Sequence, residues 1–182
     1  MNFLQKFFIN NKLSFIKLLV LDVDGVLTDG LIYIDTQGNE TKRFNVKDGL
    51  GIKLLQEAGI KIALISGGKS ESAIHRAKML NIKYYYFEVK NKLEVLEDLK
   101  NILRIKDSEV LFVGDDLNDL AVKSSVGIFA VPNDGVKAVR DNADLILSKG
   151  GGKGAIRELS ELILRNNISY RNSVKNGWRG NN

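Results

Sequence analysis

The feature that most constrains the fold is an alternation of short apolar runs with helical patterns along the whole chain. This alternation is typical of a parallel sheet covered by helices, because parallel strands need long crossover connections. We therefore predict an α/β fold with a doubly wound parallel sheet, in a single domain spanning residues 1–182. The predicted sheet strands are Phe15–Asp22, Lys61–Ser66, Tyr84–Phe87, Glu109–Gly114, Gly127–Ala130 and Leu145–Leu147. The predicted helices are Lys47–Ala58, Ser70–Leu80, Lys90–Leu103, Leu117–Ser124, Gly135–Asp141 and Gly154–Asn166.

Two segments depart from the alternation. The strand-prone runs Leu31–Asp35 and Glu40–Asn45 flank the turn-like residues 36–39, which predicts a projecting β-hairpin over residues 30–45. Residues 170–182 are polar and contain glycine, so we expect a C-terminal tail that is disordered unless a partner orders it.

The composition excludes several kinds of site. The chain has no cysteine and one histidine, which rules out disulfides, thiolate metal sites and multi-histidine metal sites. No stretch approaches the roughly 20 apolar residues of a transmembrane helix, and the first residues lack the features of a signal peptide. We therefore expect a cytoplasmic protein without a membrane partner.

The net charge of +5 is compatible with an anionic partner, although a solvated basic surface explains the same balance. No basic run with interleaved aromatic residues occurs, which favours a phosphorylated metabolite over nucleic acid. Two glycine runs with a lysine, Gly67–Ser70 and Gly150–Gly154, lack the spacing of a nucleotide-binding P-loop. We interpret both as flexible turns, the second approaching an anion at a helix start.

Acidic residues follow two of the predicted strands. Asp22 and Asp24 come after the first strand, and Asp115, Asp116 and Asp119 come after the fourth. A single aspartate at a strand end is usually a helix cap or turn residue. Five acids at one sheet edge repel one another, and a hard cation with oxygen ligands relieves that repulsion. The sequence therefore predicts a Mg²⁺ site at the carboxyl edge of the sheet.

The motifs around these acids are specific. The segment DVDGVLTDG at residues 22–30 resembles the first motif of the haloacid dehalogenase superfamily phosphatases, and GDDLND at residues 114–119 resembles their fourth. Ser66, after an apolar strand, resembles their second motif. The resemblance implies that Asp22 is a nucleophile that forms an aspartyl-phosphate. It implies that Asp24 is the acid and then the base, and that its backbone carbonyl also contacts the metal.

The same resemblance assigns the remaining catalytic groups. Asp115 would complete the metal ligands with Asp22 and Asp24. Ser66 would hydrogen-bond the transferring phosphoryl group and Lys92 would neutralise it, although taken alone Ser66 reads as a helix cap and Lys92 as a solvated lysine. Supporting roles, in orienting other groups or capping a helix, fall to Asp116 and Asp119.

The motifs are too close together for a cap domain, so the resemblance is to the capless members with a Rossmann-like sheet. Within these the chain is most similar to the phosphatases of 3-deoxy-manno-octulosonate 8-phosphate (KDO 8-phosphate), through FNVKDG at residues 44–49 and GGKGAIRE at residues 151–158. Those relatives are homotetramers that act before nucleotide activation in surface-polysaccharide synthesis, and a neighbour's hairpin and C-terminal segment help to close each site. The resemblance implies a small phosphorylated sugar acid as substrate, with these binding residues: Asp24, Asn45, Val46, Lys47, Asp48, Gly49, Arg76 and Lys92.

One residue departs from the pattern. The family usually has arginine directly after the Ser-Gly or Thr-Gly pair, and this chain has Gly68 there. The same chemistry on a nine-carbon keto-deoxy sugar acid phosphate is therefore an alternative. Two other classes are a non-catalytic oligomerisation module, which would be expected to lack some of the acids, and a phospho-receiver domain, which would not have Ser66 as its second motif.

Overall fold

A six-stranded, wholly parallel sheet forms the centre of the computed structural model, which describes residues 3–178. The strand order is β5-β4-β1-β6-β7-β8, so the chain builds outward from β1 on one side and then on the other. Leu21 pairs with both Leu64 and Val113, which brings the carboxyl ends of β1, β4 and β6 to one level. The strands are β1 Leu18–Leu21, β4 Lys61–Ile65, β5 Tyr84–Tyr86, β6 Val110–Val113, β7 Ile128–Val131 and β8 Leu145–Ile146.

Helices cover both faces of the sheet because β1 is apolar on both sides. Leu19 and Leu21 pack into one core cluster, and Leu18 and Val20 pack into the other. The first face carries α1 Phe3–Leu13, α2 Val46–Glu57, α3 Glu71–Met79 and α6 Ala155–Leu164. The second carries α4 Lys92–Leu103, a 3₁₀ segment Leu117–Ser125 and α5 Lys137–Arg140. This three-layer arrangement confirms the predicted α/β fold class.

The segment after β1 contains a short antiparallel hairpin. It consists of β2 Tyr33–Ile34 and β3 Glu40–Thr41, shorter than the runs predicted from the sequence. The Asp35 side chain accepts hydrogen bonds from the backbone amides of Gln37 and Asn39, which closes the turn. The apolar side chains from Leu31 to Ile34 are all exposed.

The C-terminal segment corrects one expectation. Residues 170–176 belong to a helix, α7 Ile168–Asn176, and not to a disordered tail. Asn167 caps this helix by accepting a hydrogen bond from the amide of Tyr170, and Tyr170 packs against the core. Trp178 packs there too and donates its indole hydrogen bond to the Glu57 carboxylate at 3.0 Å. The rest of the predicted tail, residues 179–182, lies outside the described residues.

Within the described part of the chain, every helix is too short or too polar to cross a lipid bilayer.

Candidate active site

The loop that follows β1 carries the predicted nucleophile. Asp22 is 6% exposed, and its amide donates to the carbonyl of Val113 at 3.0 Å. The chain then turns at Gly25, whose φ of +78° favours glycine. A Cβ on Gly25 would also lie 2.0 Å from a carboxylate oxygen of Asp115. The buried hydroxyl of Thr28 fixes the turn by accepting from the amides of Gly25 and Gly30. Only glycine fits this close approach of the first and fourth motifs.

Three carboxylates meet at the ends of β1 and β6. One oxygen each of Asp22, Asp115 and Asp119 lies within 4.8 Å of the others. Burial raises the pKa of Asp22 to about 6, and the neighbouring Asp119 adds to the shift. Burial, followed by the charges of Asp22 and Asp119, raises the pKa of Asp115 to about 8. These two pKa values remain raised although Lys92 lies beside the cluster, so a further positive charge would favour ionisation of all three acids.

The two unpaired oxygens of this cluster fit a metal ion. Oδ1 of Asp22 and Oδ1 of Asp115 are buried and accept no hydrogen bond from the described residues. Buried carboxylate oxygens are rarely left without a partner, and a hard divalent cation with oxygen ligands would satisfy both. Asp22 and Asp115 are thus suited to hold Mg²⁺, as the sequence predicts.

Asp119 is committed to other contacts, which distinguishes it from a metal ligand. Its Oδ1 lies 2.6 Å from Nζ of Lys92, and its Oδ2 accepts from the amides of Asp115 and Asp116. The side chain is fully buried. Asp119 therefore orients both Lys92 and the loop that carries Asp115. Asp116 is exposed and caps the 3₁₀ segment through the amide of Leu117.

Lys92 links the acids at the floor of the site. Its ammonium lies 3.2 Å from Oδ2 of Asp22 as well as 2.6 Å from Asp119. Burial acts to lower the pKa of Lys92, but the charges of Asp22 and Asp119 outweigh it and the net pKa is raised. Lys92 is therefore a buried cation beside Oδ2 of Asp22.

A cavity of about 460 Å³ opens above these groups. Ser66, directly after β4, lines it, and its Oγ lies 3.4 Å from the amide of Gly68. Asp24 and Asn118 also line the cavity, and no pattern in the sequence singled out Asn118. The structure thus brings together five predicted residues from four separate segments of the chain: Asp22, Asp24, Ser66, Lys92 and Asp115.

A second residue that the sequence did not reveal is Lys42. It lies after β3 at the base of the hairpin, and its ammonium is 2.7 Å from Oδ2 of Asp24. Lys42 also lines a neighbouring cavity of about 880 Å³, together with Phe44 and one side of α3. The only sequence signal for Lys42 is its place in the hairpin, since one lysine in a polar strand is unremarkable.

The predicted substrate-binding residues divide into two groups. Arg76 lines the larger cavity, where its guanidinium lies 5.9 Å from the Phe44 ring and donates to the carbonyl of Asn45. Val46 and Lys47 are exposed at the start of α2. Asn45 caps that helix by accepting from the amide of Lys47, and donates its own side-chain amide to the carbonyl of Gly152.

Asp48 and Gly49, the other two predicted residues of this stretch, are both buried within the fold. Oδ1 of Asp48 accepts from the amide of Arg157 in the first turn of α6, and burial raises the Asp48 pKa. Gly49 is packed so closely that its Cβ would lie 2.3 Å from the guanidinium of Arg76. Asp48 therefore caps α6, Gly49 leaves room for the Arg76 guanidinium, and neither residue is among those that line the two cavities.

The glycine run at residues 150–154 packs against the nucleophile loop. The amide of Gly152 donates to the carbonyl of Val26, and the amide of Gly151 donates to Oδ1 of Asp134. A Cβ on Gly151 would lie 1.9 Å from the carbonyl oxygen of Gly25. The run is therefore a support for the loop after β1, and this contact replaces the flexible turn that the sequence suggested.

We expect Gly151→Ala to lower both stability and turnover, because the added methyl group must displace the backbone at Gly25. Overpacking of this kind costs about 1–3 kcal/mol. Urea unfolding and steady-state kinetics would measure the two effects. Gly38→Ala is the matched control for the loss of a glycine, because its Cβ would meet no atom within 4 Å, although its φ of +84° adds strain in the exposed hairpin turn. Unchanged turnover in Gly151→Ala would show that the loop contact is dispensable.

Several known proteins are similar to this chain in sequence and fold. A family model described as haloacid dehalogenase-like hydrolase matches residues 46–127. The crystal structure of 3-deoxy-D-manno-octulosonate 8-phosphate phosphatase from Moraxella catarrhalis has 39% sequence identity and a TM-score of 0.87. The match covers 92% of this chain and 97% of that one. This chain belongs to the haloacid dehalogenase-like hydrolases. The M. catarrhalis structure is described as a complex with a magnesium ion, a phosphate ion and a KDO molecule.

Other members of this hydrolase family are similarly close. A hydrolase of subfamily III A from Legionella pneumophila has 38% identity and a TM-score of 0.90, with 94% of both chains covered. The 3-deoxy-D-manno-octulosonate 8-phosphate phosphatase of Escherichia coli K12 is 45% identical over 113 residues, which is 62% of this chain. That match spans 60% of the E. coli protein's length.

Proposed function

We propose that this hydrolase is a Mg²⁺-dependent phosphomonoester phosphatase whose substrate is 3-deoxy-manno-octulosonate 8-phosphate. The observation that carries the proposal is the pair of unpaired buried oxygens on Asp22 and Asp115, beside Lys92 and Ser66. This is an arrangement for a cation and a phosphoryl group at one carboxylate. The similarity to the M. catarrhalis enzyme, with its magnesium, phosphate and KDO, supports the choice of metal and substrate.

The first step of the proposed reaction is attack by a carboxylate oxygen of Asp22 on phosphorus. The bond from phosphorus to the sugar oxygen breaks, and Asp24 delivers a proton to that oxygen as it leaves. Lys92 and the hydroxyl of Ser66 stabilise the charge on the phosphoryl oxygens. The products of this step are the free sugar acid and an aspartyl-phosphate at Asp22.

The second step regenerates the nucleophile. Asp24, now ionised, takes a proton from a water molecule as the water oxygen bonds to phosphorus, and the Asp22 carboxylate leaves. A Mg²⁺ ion held by Asp22, Asp115 and the backbone carbonyl of Asp24 would supply positive charge to the phosphoryl oxygens. Asp119 holds Lys92 and the Asp115 loop in place throughout.

The larger cavity is suited to the sugar acid. Lys42, which lines this cavity, contacts Asp24 at 2.7 Å. Arg76 also lines the cavity and is a cation that can bind a carboxylate. Both cavities are open to solvent at the surface of a capless domain, which supports a homotetramer in which neighbours close each site. We place this enzyme in the cytoplasm, in keeping with a small-metabolite substrate.

Mg²⁺ is expected to stabilise the protein more at high pH than at low pH. The pKa values of Asp22 and Asp115 are raised in the folded protein to about 6 and about 8. The folded state therefore binds protons more tightly than the unfolded chain, and metal-free stability falls as pH rises from about 4 to 8. Because Mg²⁺ binds the ionised acids, it offsets that loss.

Thermal unfolding in Mg²⁺ and in EDTA, from pH 5 to pH 8, would measure this effect. The difference in Tm should be small at pH 5 and grow towards pH 8. Asp115→Asn should flatten the dependence on pH, whereas Asp141→Asn, which removes an exposed carboxylate just after α5, should leave it unchanged. A metal effect that is equal at all pH values would contradict the assignment of these two acids.

The substrate is tested by phosphate release with Mg²⁺ from a panel of eight-carbon and nine-carbon keto-deoxy sugar acid phosphates. We expect the eight-carbon substrate to have the highest kcat/KM. A preference for the nine-carbon acid would transfer the proposal to that substrate. Equal, slow turnover of all of them, or none, would reject both sugar acids.

A further inference from the structure

Lys42 has a role that the two chemical steps do not explain. Its side chain is 2% exposed, whereas the side chain of its partner Asp24 is 34% exposed. Among the residues the structure describes, Asp24 is the sole ion-pair partner of Lys42. Removing an ammonium group from water is costly, and a partly solvated carboxylate returns only part of that cost. A lysine buried for this one contact indicates that the position of Asp24 matters.

The contact lies at the junction of the two cavities. Asp24 lines the smaller cavity above Asp22, and Lys42 lines the larger one beside Arg76. A phosphomonoester that extends from one cavity to the other would place its bridging oxygen near this junction. The carboxylate that protonates the bridging oxygen must therefore stay at this place while the substrate binds and the product leaves.

Gly68 lies close to Asp24 but has no side chain that could hold its carboxylate. A Cβ on residue 68 would lie 3.2 Å from Oδ2 of Asp24 and 4.0 Å from Nζ of Lys42. A longer side chain at position 68 would thus be directed at the same carboxylate oxygen. With glycine there, residue 68 offers no side chain to Asp24, and the ammonium of Lys42 occupies the space beside it.

We propose that Lys42 is a positioning residue that holds the Asp24 carboxyl group between the phosphoryl cavity and the leaving-group cavity. This inference rests on the proposed phosphatase function and deepens it. Lys42 forms no bond to the substrate phosphorus and transfers no proton. Asp24 still gives its proton to the leaving sugar oxygen in the first step and takes one from water in the second.

The test compares two leaving groups in Lys42→Met, which keeps the length of the side chain and removes its charge. An alkyl leaving group, as in a sugar acid phosphate, needs the proton from Asp24. The nitrophenolate of p-nitrophenyl phosphate leaves without one. In rapid-mixing experiments with Mg²⁺, we expect phosphoryl transfer from the sugar acid phosphate to slow by about 10- to 100-fold, within the roughly 100- to 10,000-fold that general acid catalysis contributes. The initial burst of nitrophenolate should change by less than about threefold, because nitrophenolate leaves without a proton from Asp24.

Three controls separate the possible explanations. Lys137→Met removes a lysine–aspartate pair from the surface of α5 and should have no effect. Lys42→Arg, which keeps the charge, should recover part of the rate with the sugar acid phosphate. The Tm of Lys42→Met in Mg²⁺ should stay within a few degrees of the wild type. An equal loss with both substrates, or no loss with the sugar acid phosphate, would overturn the positioning role. Absence of turnover by the wild-type protein with both would instead overturn the proposed function.

Discussion

Replacing Asp22 by asparagine is expected to abolish phosphatase turnover, with a loss of at least about 1,000-fold in kcat. The amide of asparagine is a poor nucleophile and cannot form the aspartyl-phosphate. The fold should tolerate the change, because Lys92 keeps its 2.6 Å contact with Asp119. Burial raises the pKa of Asp22 to about 6, so its charge is unfavourable at neutral pH without metal. We therefore expect the Tm in EDTA to be unchanged or higher.

The measurement combines steady-state kinetics with a search for the covalent intermediate. Wild-type protein quenched in acid during turnover of a radiolabelled substrate should retain phosphate, and Asp22→Asn should retain none. Asp141→Asn, which removes an exposed carboxylate just after α5, is the matched control and should behave as the wild type. Retained turnover in Asp22→Asn would reject the nucleophile assignment.

Asp119→Ala is expected to cause the largest loss of stability of any single change in the site. Asp119 is fully buried and holds Lys92 and two backbone amides at once. Its removal leaves a buried ammonium with Asp22 alone, at 3.2 Å, and leaves the amides of Asp115 and Asp116 without this acceptor. Breaking a buried ion pair in this way costs about 3–5 kcal/mol. Turnover should also fall, because the Asp115 loop loses its anchor.

Urea unfolding in EDTA would give the free energy of unfolding, so that metal binding does not obscure the comparison. Asp116→Ala is the matched control, since it removes a neighbouring but exposed helix cap worth about 1 kcal/mol. A loss in Asp119→Ala no larger than that in Asp116→Ala would show that Asp119 is not the organising acid of the site.

The sheet and the cluster of acids at its edge could be predicted because each rests on local patterns. Parallel strands are apolar on both faces, so their runs stand out, and acids at their ends must meet at one edge. The positions of Asp22, Ser66 and Asp115 followed from this rule together with the motifs. The helix α7 was missed because its residues are mostly polar, and its stability comes from the Asn167 cap and the docking of Tyr170 and Trp178.

The roles of residues in loops depended on contacts distant in sequence. Asp48 lies in the stretch assigned to the substrate, yet its carboxylate serves α6, which begins about 100 residues later. Lys42 gave no local signal, because its partner Asp24 is reached only when the hairpin folds back over the first motif. Such pairings are set by tertiary packing, which neither periodicity nor spacing records.

The root of the hairpin joins groups that belong to different parts of the enzyme. Thr28 and Phe44 form an isolated antiparallel β-bridge there, and the Asn45 side-chain amide donates a hydrogen bond to the carbonyl of Gly152. Lys42 lies just before Phe44 in the chain. The exposed apolar residues Leu31–Ile34 lie on or just before the first strand of the hairpin, which pairs with β3, and β3 leads directly to Lys42 and its contact with Asp24. A neighbouring subunit that bound this apolar strand would therefore contact the same hairpin that places Lys42 beside Asp24.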